Sequence, residues 1–290
     1  MKITNNLGLP APFVDAVSKE YTYKPKRYSV TSLLKGSCQA VLERRHNDEI
    51  EQDVSDMIWL IFGSAVHKIL ENGKETDDQL KENYFMIDVH GYELSGIFDL
   101  YDAKEKKVVD YKTATVWKVI YNDWEDYRKQ LLIYAYMLRK IGFECHSGEI
   151  VAILKDHSKT KAKVESDYPQ YPVYVKKFFF TENDFEEIEK FIISRFIDIS
   201  EQEQLDDYDL MPCSPEERWY SGSKYAVIKK GNKRALRVVD TEEEARSYME
   251  WKGITEKDHY IEHRAGENKK CNEYCSVKEW CPLFNKKEEE

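Results

Sequence analysis

The stretch GIFDLYDAKEKKVVDYKTA, residues 96–114, constrains the fold more than any other. Two apolar runs flank a charged turn, which predicts a pair of strands joined as a hairpin. Successive strand residues point to opposite faces, so Asp110 and Lys112 share one face while Val109 and Tyr111 take the other. Asp99, on the first strand, lies between Phe98 and Leu100. Antiparallel pairing lets both aspartates and the lysine converge. Carboxylates set among core side chains are costly unless something compensates them. A hard divalent cation does so, because Mg²⁺ takes one or two carboxylates and keeps several waters. A lysine beside that ion can hold a nucleophilic water or stabilise charge on a phosphate. Taken alone, the tripeptide Asp110-Tyr111-Lys112 is equally served by an ion pair on an exposed sheet face.

The neighbouring segments supply polar groups on otherwise apolar elements. SVTSLLKGSCQAVLERRH reads as one helix starting near Ser29 or Thr31, and a second helix runs from about Val54 to Asn72. On the second, Trp59, Gly63 and His67 are four apart and share a face, while Ile58, Ile61, Ala65 and Ile69 form an apolar stripe. Strands are expected at about 83–90, 92–101 and 106–112, then a helix over DWEDYRKQLLIYAYMLRKIG closed by Gly142. That helix carries Gln130 and Tyr134, again four apart. Strands at about 148–155 and 173–180 flank a long polar loop, and an amphipathic helix capped by Thr181 follows. KYAVIKKGNKRALRVV predicts a hairpin with Gly231-Asn232 at its tip, and DTEEEARSYMEWKG a capped helix. The expected organisation is an N-terminal arm (1–27), a main domain (28–212) and a C-terminal segment (213–290) containing a ββα insertion at about 222–256.

The chain has 290 residues, 41% of them hydrophobic and 34% charged, which supports one large α/β domain or two small ones. A net charge of −10 does not mark a nucleic-acid binder, although a local basic surface can still serve. The N-terminus does not read as a signal peptide, and no run of eighteen apolar residues suggests a membrane span. Six cysteines in a chain this long do not make a disulfide scaffold. Cys271, Cys275 and Cys281 are spaced Cys-x3-Cys-x5-Cys, which points to metal and a reducing, cytoplasmic setting. Three thiolates need a distant fourth, and Cys38, Cys145 and Cys213 are the candidates.

In order, Gly63-x-x-x-His67, GIFD ending at Asp99, Asp110-x-Lys112 and Gln130-x-x-x-Tyr134 resemble the PD-(D/E)XK nuclease superfamily, and within it the RecB-like exonucleases. The pieces cover about residues 55–140. The second acid is aspartate where glutamate is common, and Phe98 precedes Asp99 where proline is often found. The resemblance implies a central mixed β-sheet flanked by helices. It implies a catalytic Mg²⁺ or Mn²⁺ on His67, Asp99, Asp110 and the Tyr111 carbonyl. Lys112 would ready the attacking water, with Gln130 and Tyr134 steadying the site or the DNA backbone.

RecB-like nucleases of the AddB and CRISPR-associated types carry a structural [4Fe-4S] cluster, which the resemblance extends to Cys271, Cys275 and Cys281. Similarity to a phage and prophage subgroup makes Cys213 the fourth ligand, with Cys38 the alternative; zinc is the alternative metal. The implied activity is a DNA exonuclease in phage or prophage recombination, repair or processing. It would act in the bacterial or phage-infected cytoplasm, with a helicase or single-strand annealing protein as partner and an oligomer possible. A catalytically silent module that binds DNA ends is the rival. The hairpin bases Lys224, Lys229, Lys230, Lys233, Arg234 and Arg237, with no acid among residues 224–237, are a candidate DNA contact, as is the lysine-rich loop 155–163.

Overall fold

The computed structural model describes residues 1–18 and 23–285. The N-terminal region holds β1 (Lys2–Thr4), α1 (Ala11–Val17), β2 (Arg27–Ser29), α2 (Val30–Leu33), α3 (Ser37–Arg45) and β3 (Glu51–Asp53). The central part holds α4 (Ile58–Glu71), β4 (Gln79–Val89), β5 (Tyr92–Asp102), β6 (Lys107–Ala114), α5 (Val116–Ile120), α6 (Glu125–Lys140), β7 (Ser147–Leu154), α7 (Lys159–Val164), β8 (Val173–Phe179) and α8 (Glu182–Gln202). The C-terminal part holds β9 (Lys224–Lys229), β10 (Ala235–Val239), α9 (Glu242–Lys252), β11 (His259–Arg264) and α10 (Lys269–Glu273).

The main sheet is mixed and six-stranded, with order β2-β5-β6-β7-β8 and β4 on the other edge of β5. β4 pairs antiparallel with β5 along its length. The opposite edge of β5 is divided. β2 runs parallel to residues 93–95, and β6 runs antiparallel to residues 100–102 only. Beyond Val109, β6 leaves β5 and continues in register with β7 alone. The hairpin legible in the sequence is therefore a fork, open at residues 96–99 and 110–114.

Helix α6 packs on β6 and β7 and buries all of Leu131–Leu138, so this stretch is buried all round. Outside it lie α8 and α3. Thr181 and Asp184 form a capping box that starts α8. Gly96 sits where a Cβ would come within 2.7 Å of the Tyr134 ring, so the glycine lets α6 approach the fork.

Several expected elements differ. The single helix from Ser29 is two, because Gly36 turns the chain to extended backbone and becomes the N-cap of α3. The arm 1–27 is not irregular where described: β1 pairs parallel with β3 and α1 packs on α4; residues 19–22 of that arm and the tail 286–290 lie outside the described residues. The polar loop after β7 contains α7, capped by Ser158. The ββα insertion is ββαβ. β11 pairs with β9, giving a three-stranded sheet of order β10-β9-β11, with Ala245 and Met249 of α9 packed on Val227. The stripe on α4 is not buried: no residue of that helix is, and Ile69 is 71% exposed.

Candidate active site

The fork between β5 and β6 collects the polar side chains. Where the ladder fails, the Asp99 carboxylate takes its place, accepting from the Tyr111 amide at 2.5 Å. Asp99 and Asp110 are nearly buried, with 7% and 3% of their surface exposed. Helix α4 lies on the Tyr111/Thr113 face, where its Gly63 would place a Cβ 3.7 Å from Thr113 Oγ1. One turn later His67 puts Nδ1 3.1 Å from Asp99 Oδ1. Helix α6 lies on the Asp110/Lys112 face. Gln130 Nε2 stands 3.5 Å from Asp110 Oδ1 and 3.4 Å from the Tyr134 hydroxyl. Lys112 Nζ forms an ion pair with the buried Asp110 Oδ2 at 2.7 Å.

His67, Asp99, Asp110, Lys112, Gln130 and Tyr134 thus meet at one place. Tyr111 takes part through its amide, which donates to Asp99 and leaves the role expected of its carbonyl untouched. The electrostatics follow from burial. Desolvation raises the Asp110 carboxyl to about 6, against the opposing pull of Lys112, with the Asp99 charge adding to the rise. His67 is raised because Asp99 accepts a hydrogen bond from it. Burial pushes the Tyr134 hydroxyl up, so it remains a neutral donor.

One member was not foreseen. Glu82 of β4 lies between Lys81, opposite Leu100, and Asn83, opposite Phe98, so it comes level with Asp99 at a break in the ladder, where its φ is +47°. Residues directly opposite on paired strands share a face, and the Glu82 carboxylate stands 3.8 Å from His67 Nδ1. One donor atom each from His67, Glu82 and Asp99 lie within 4.8 Å of one another, a spacing that fits a single cation. Burial and the Asp99 charge raise the Glu82 carboxyl. A carboxylate-rich, half-buried donor set with one imidazole, and the nearly buried Asp110 carboxylate beside it, suits Mg²⁺ or Mn²⁺. Glu82→Gln is expected to weaken Mn²⁺ binding about tenfold by titration calorimetry. An unchanged dissociation constant would remove Glu82 from the ligand set.

The cysteines gather elsewhere. Cys38, in the first turn of α3, and Cys213, Cys271, Cys275 and Cys281 line one small cavity. Both candidates for the fourth position, Cys38 and Cys213, lie in it. Cys38 donates to Cys213 and Cys281, and Cys213 also accepts from the Gln39 amide at the start of α3. These contacts hold Cys213 below the usual thiol range and Cys281 down at about 6, while Cys38 is pushed up. The C-terminal segment is anchored there as well. Trp280 stacks on His46 at 4.3 Å, and Arg195 bridges Ser37 and Glu217. Cys145 is a buried thiol raised to about 12, held by the Ser147 carbonyl.

Of the hairpin bases, Lys224 is paired with Asp240 and Lys230 donates to the Lys257 carbonyl. Lys229, Lys233, Arg234 and Arg237 are exposed. No helix among the described residues is long and apolar enough to cross a membrane.

The sequence profile of the PD-(D/E)XK nuclease superfamily matches residues 38–282. The chain belongs to that superfamily. Among solved structures, SSO0001 shares 16% identity, with 64% of this chain and 81% of that one covered and a TM-score of 0.45. An alkaline exonuclease (LHK-Exo) from Laribacter hongkongensis shares 10% identity over 62% and 90% of the two chains, with a TM-score of 0.37. A phage related exonuclease from Haemophilus somnus 129PT shares 14% over 56% and 70%, with a TM-score of 0.28. No curated protein matches.

Proposed function

We propose that the protein is a divalent-metal-dependent DNA exonuclease of the RecB-like type, serving phage or prophage recombination, repair or processing. The observation that carries this reading is the fork, where the nearly buried carboxylates of Asp99 and Asp110 converge with Lys112 and His67. His67, Glu82, Asp99 and Asp110 would hold Mg²⁺ or Mn²⁺, with the Tyr111 carbonyl as a further donor. When bound, the ion supplies Lewis-acid stabilisation of charge developing on the phosphate. Lys112 directs its ammonium at the attacking water and at the phosphate oxygens. Tyr127 backs that lysine, its ring centroid 5.5 Å from Nζ. Gln130 and Tyr134 fix the rotamer of Asp110 and close the α6 side of the fork.

The test is end-labelled linear DNA beside a covalently closed circle, each with Mg²⁺ or Mn²⁺ and with EDTA. Degradation of the linear form alone, abolished by EDTA, is expected. Intact linear DNA that still binds the protein would favour a silent end-binding module. A helicase or annealing-protein partner and an oligomer belong to the same proposal.

Metal binding must displace protons from Asp110 and His67, because a carboxylate and a neutral imidazole are the ligand forms. Asp110 titrates near 6 and His67 above its ordinary range. Both groups are charge-competent as ligands at higher pH and protonated at lower pH. The Mn²⁺ dissociation constant is therefore expected to rise as pH falls from 8 to 5, by about tenfold per unit for each proton displaced. A constant affinity across that range would contradict these ligands.

For the cysteine cavity we propose a structural [4Fe-4S] cluster. Among the described residues, the sulfurs do not form a set whose donor atoms all lie within 4.8 Å of one another. Thiolates around one zinc, with Zn–S of about 2.3 Å, would. Zinc content without iron would replace this assignment.

A further inference from the structure

Beyond the fork, two groups of exposed aromatic rings adjoin the end of β6. On α4, Trp59 lies two turns before His67 on the face that meets β6, and it is 60% exposed. Lys155 Nζ sits 3.7 Å from its ring centroid. The Lys155 amide donates to the Ala114 carbonyl, which places this pair beside the last residue of β6, two after Lys112. On α5, which starts two residues after Ala114, Trp117 and Tyr121 stack at 5.6 Å and are 51% and 72% exposed. Lys118, on the same helix, lies 4.5 Å from the Tyr127 ring that backs Lys112 and is committed to Asp126 at 2.8 Å and Asp123 at 3.6 Å. Asp156, the nearest acid on the loop, is engaged with the Val116 amide at 2.8 Å.

These rings are not core residues that failed to bury. Each is large and solvent-facing, and Lys155 lies against one of them. Bases of a duplex are stacked on one another and offer no free face, whereas a single strand can lay its bases on exposed rings while lysines meet the phosphates. We propose that Trp59 with Lys155, and Trp117 with Tyr121, form a stacking platform that holds single-stranded DNA as it enters or leaves the fork. The proposal rests on the nuclease reading above and names the strand state that the site accepts.

The test separates binding from cleavage. Affinity for a fluorescent oligo(dT) and for a blunt duplex is measured in EDTA for wild type, Trp59→Ala and the double variant Trp117→Ala/Tyr121→Ala. Thermal melting of each verifies folding, which these exposed rings do not support. Stacking on one ring is worth about 5- to 100-fold in affinity. Each variant is expected to lose at least fivefold for oligo(dT) and less than twofold for the duplex. Equal losses on both DNAs, or none, would overturn the platform. So would a change of oligomeric state on Trp59→Ala with oligo(dT) binding intact, which would make the face a contact between copies. Absence of cleavage by wild type, with selective oligo(dT) binding retained, would sink the nuclease reading and leave the platform standing.

Discussion

Lys112→Ala is expected to lower phosphodiester cleavage by about 10³-fold while leaving DNA binding within a few-fold of wild type. Its ammonium is fixed by position: Asp110 Oδ2 at 2.7 Å on one side and the Tyr127 ring on the other. Few waters or other cations can take that place, since Lys112 is the cation that β6 itself delivers to the fork. Asp110→Asn should be as damaging for a different reason, since an amide of the same shape binds a hard cation poorly. The two variants should part company in stability. Asp110 is a buried carboxylate whose ionised form is disfavoured by desolvation. Without metal, its raised value means that folding is strongest at low pH for this group, and stability declines as pH rises from about 4 toward about 6. Asp110→Asn removes that burden and should melt higher than metal-free wild type at pH 7.5. Lys112→Ala removes the compensating charge and should melt lower. Cleavage assays on end-labelled DNA and melting curves in EDTA read both effects. Full cleavage by Lys112→Ala would end the mechanism proposed for the fork.

Much of this site is legible in the residues, because the pieces that make it are local. An i, i+4 pair on a helix and an i, i+2 pair on a strand fix relative directions without tertiary knowledge. That is why His67 with Gly63, Asp110 with Lys112, and Gln130 with Tyr134 can be placed in advance. Glu82 could not be, because it comes level with Asp99 only through the register of β4 on β5, at a break in the ladder where its φ is +47°. The run KENYF carries no breaker that announces it. The fork was hidden for the same reason. Alternation gives faces, but only the competition of β2 and β6 for one edge of β5 decides where the ladder stops. The burial of α4 was misjudged because apolar periodicity predicts a buried stripe, whereas this helix turns its apolar residues outward beside the site. β11 was missed since HYIEHR alternates too few apolar residues to signal a strand; its pairing with β9 makes it one.

Gly36→Ala is expected to abolish the metal centre proposed for the C-terminal cysteines, although Gly36 offers no side-chain ligand. A Cβ there would fall 2.4 Å from Cys213 Sγ, 2.9 Å from its Cβ and 2.9 Å from Glu217 Oε2. The short Cys213 side chain, whose Cβ is fixed to the backbone, on one side and a half-buried carboxylate, already committed to Arg195 and the Ser214 amide, on the other leave little room to yield. The sulfur must move off the start of α3, where it accepts from the Gln39 amide. Cys213→Ser should have the same consequence, because a hydroxyl does not replace a thiolate for iron or zinc. Cys38→Ser separates the two candidates for the fourth ligand. Cys38 stands between Cys213 and Cys281 as a donor to both, so its loss should loosen the centre and leave it formed. Metal per chain and visible absorbance of anaerobically purified protein read this directly, with about four irons expected for wild type and for Cys38→Ser. Loss of metal should also free the tail that Trp280 and Val277 pin to α3 and the core, which removal of a structural metal–thiolate centre makes a large loss of folding free energy. Full metal content in Gly36→Ala and Cys213→Ser, with none in Cys38→Ser, would transfer the fourth position to Cys38 and leave Cys213 as the spare thiol.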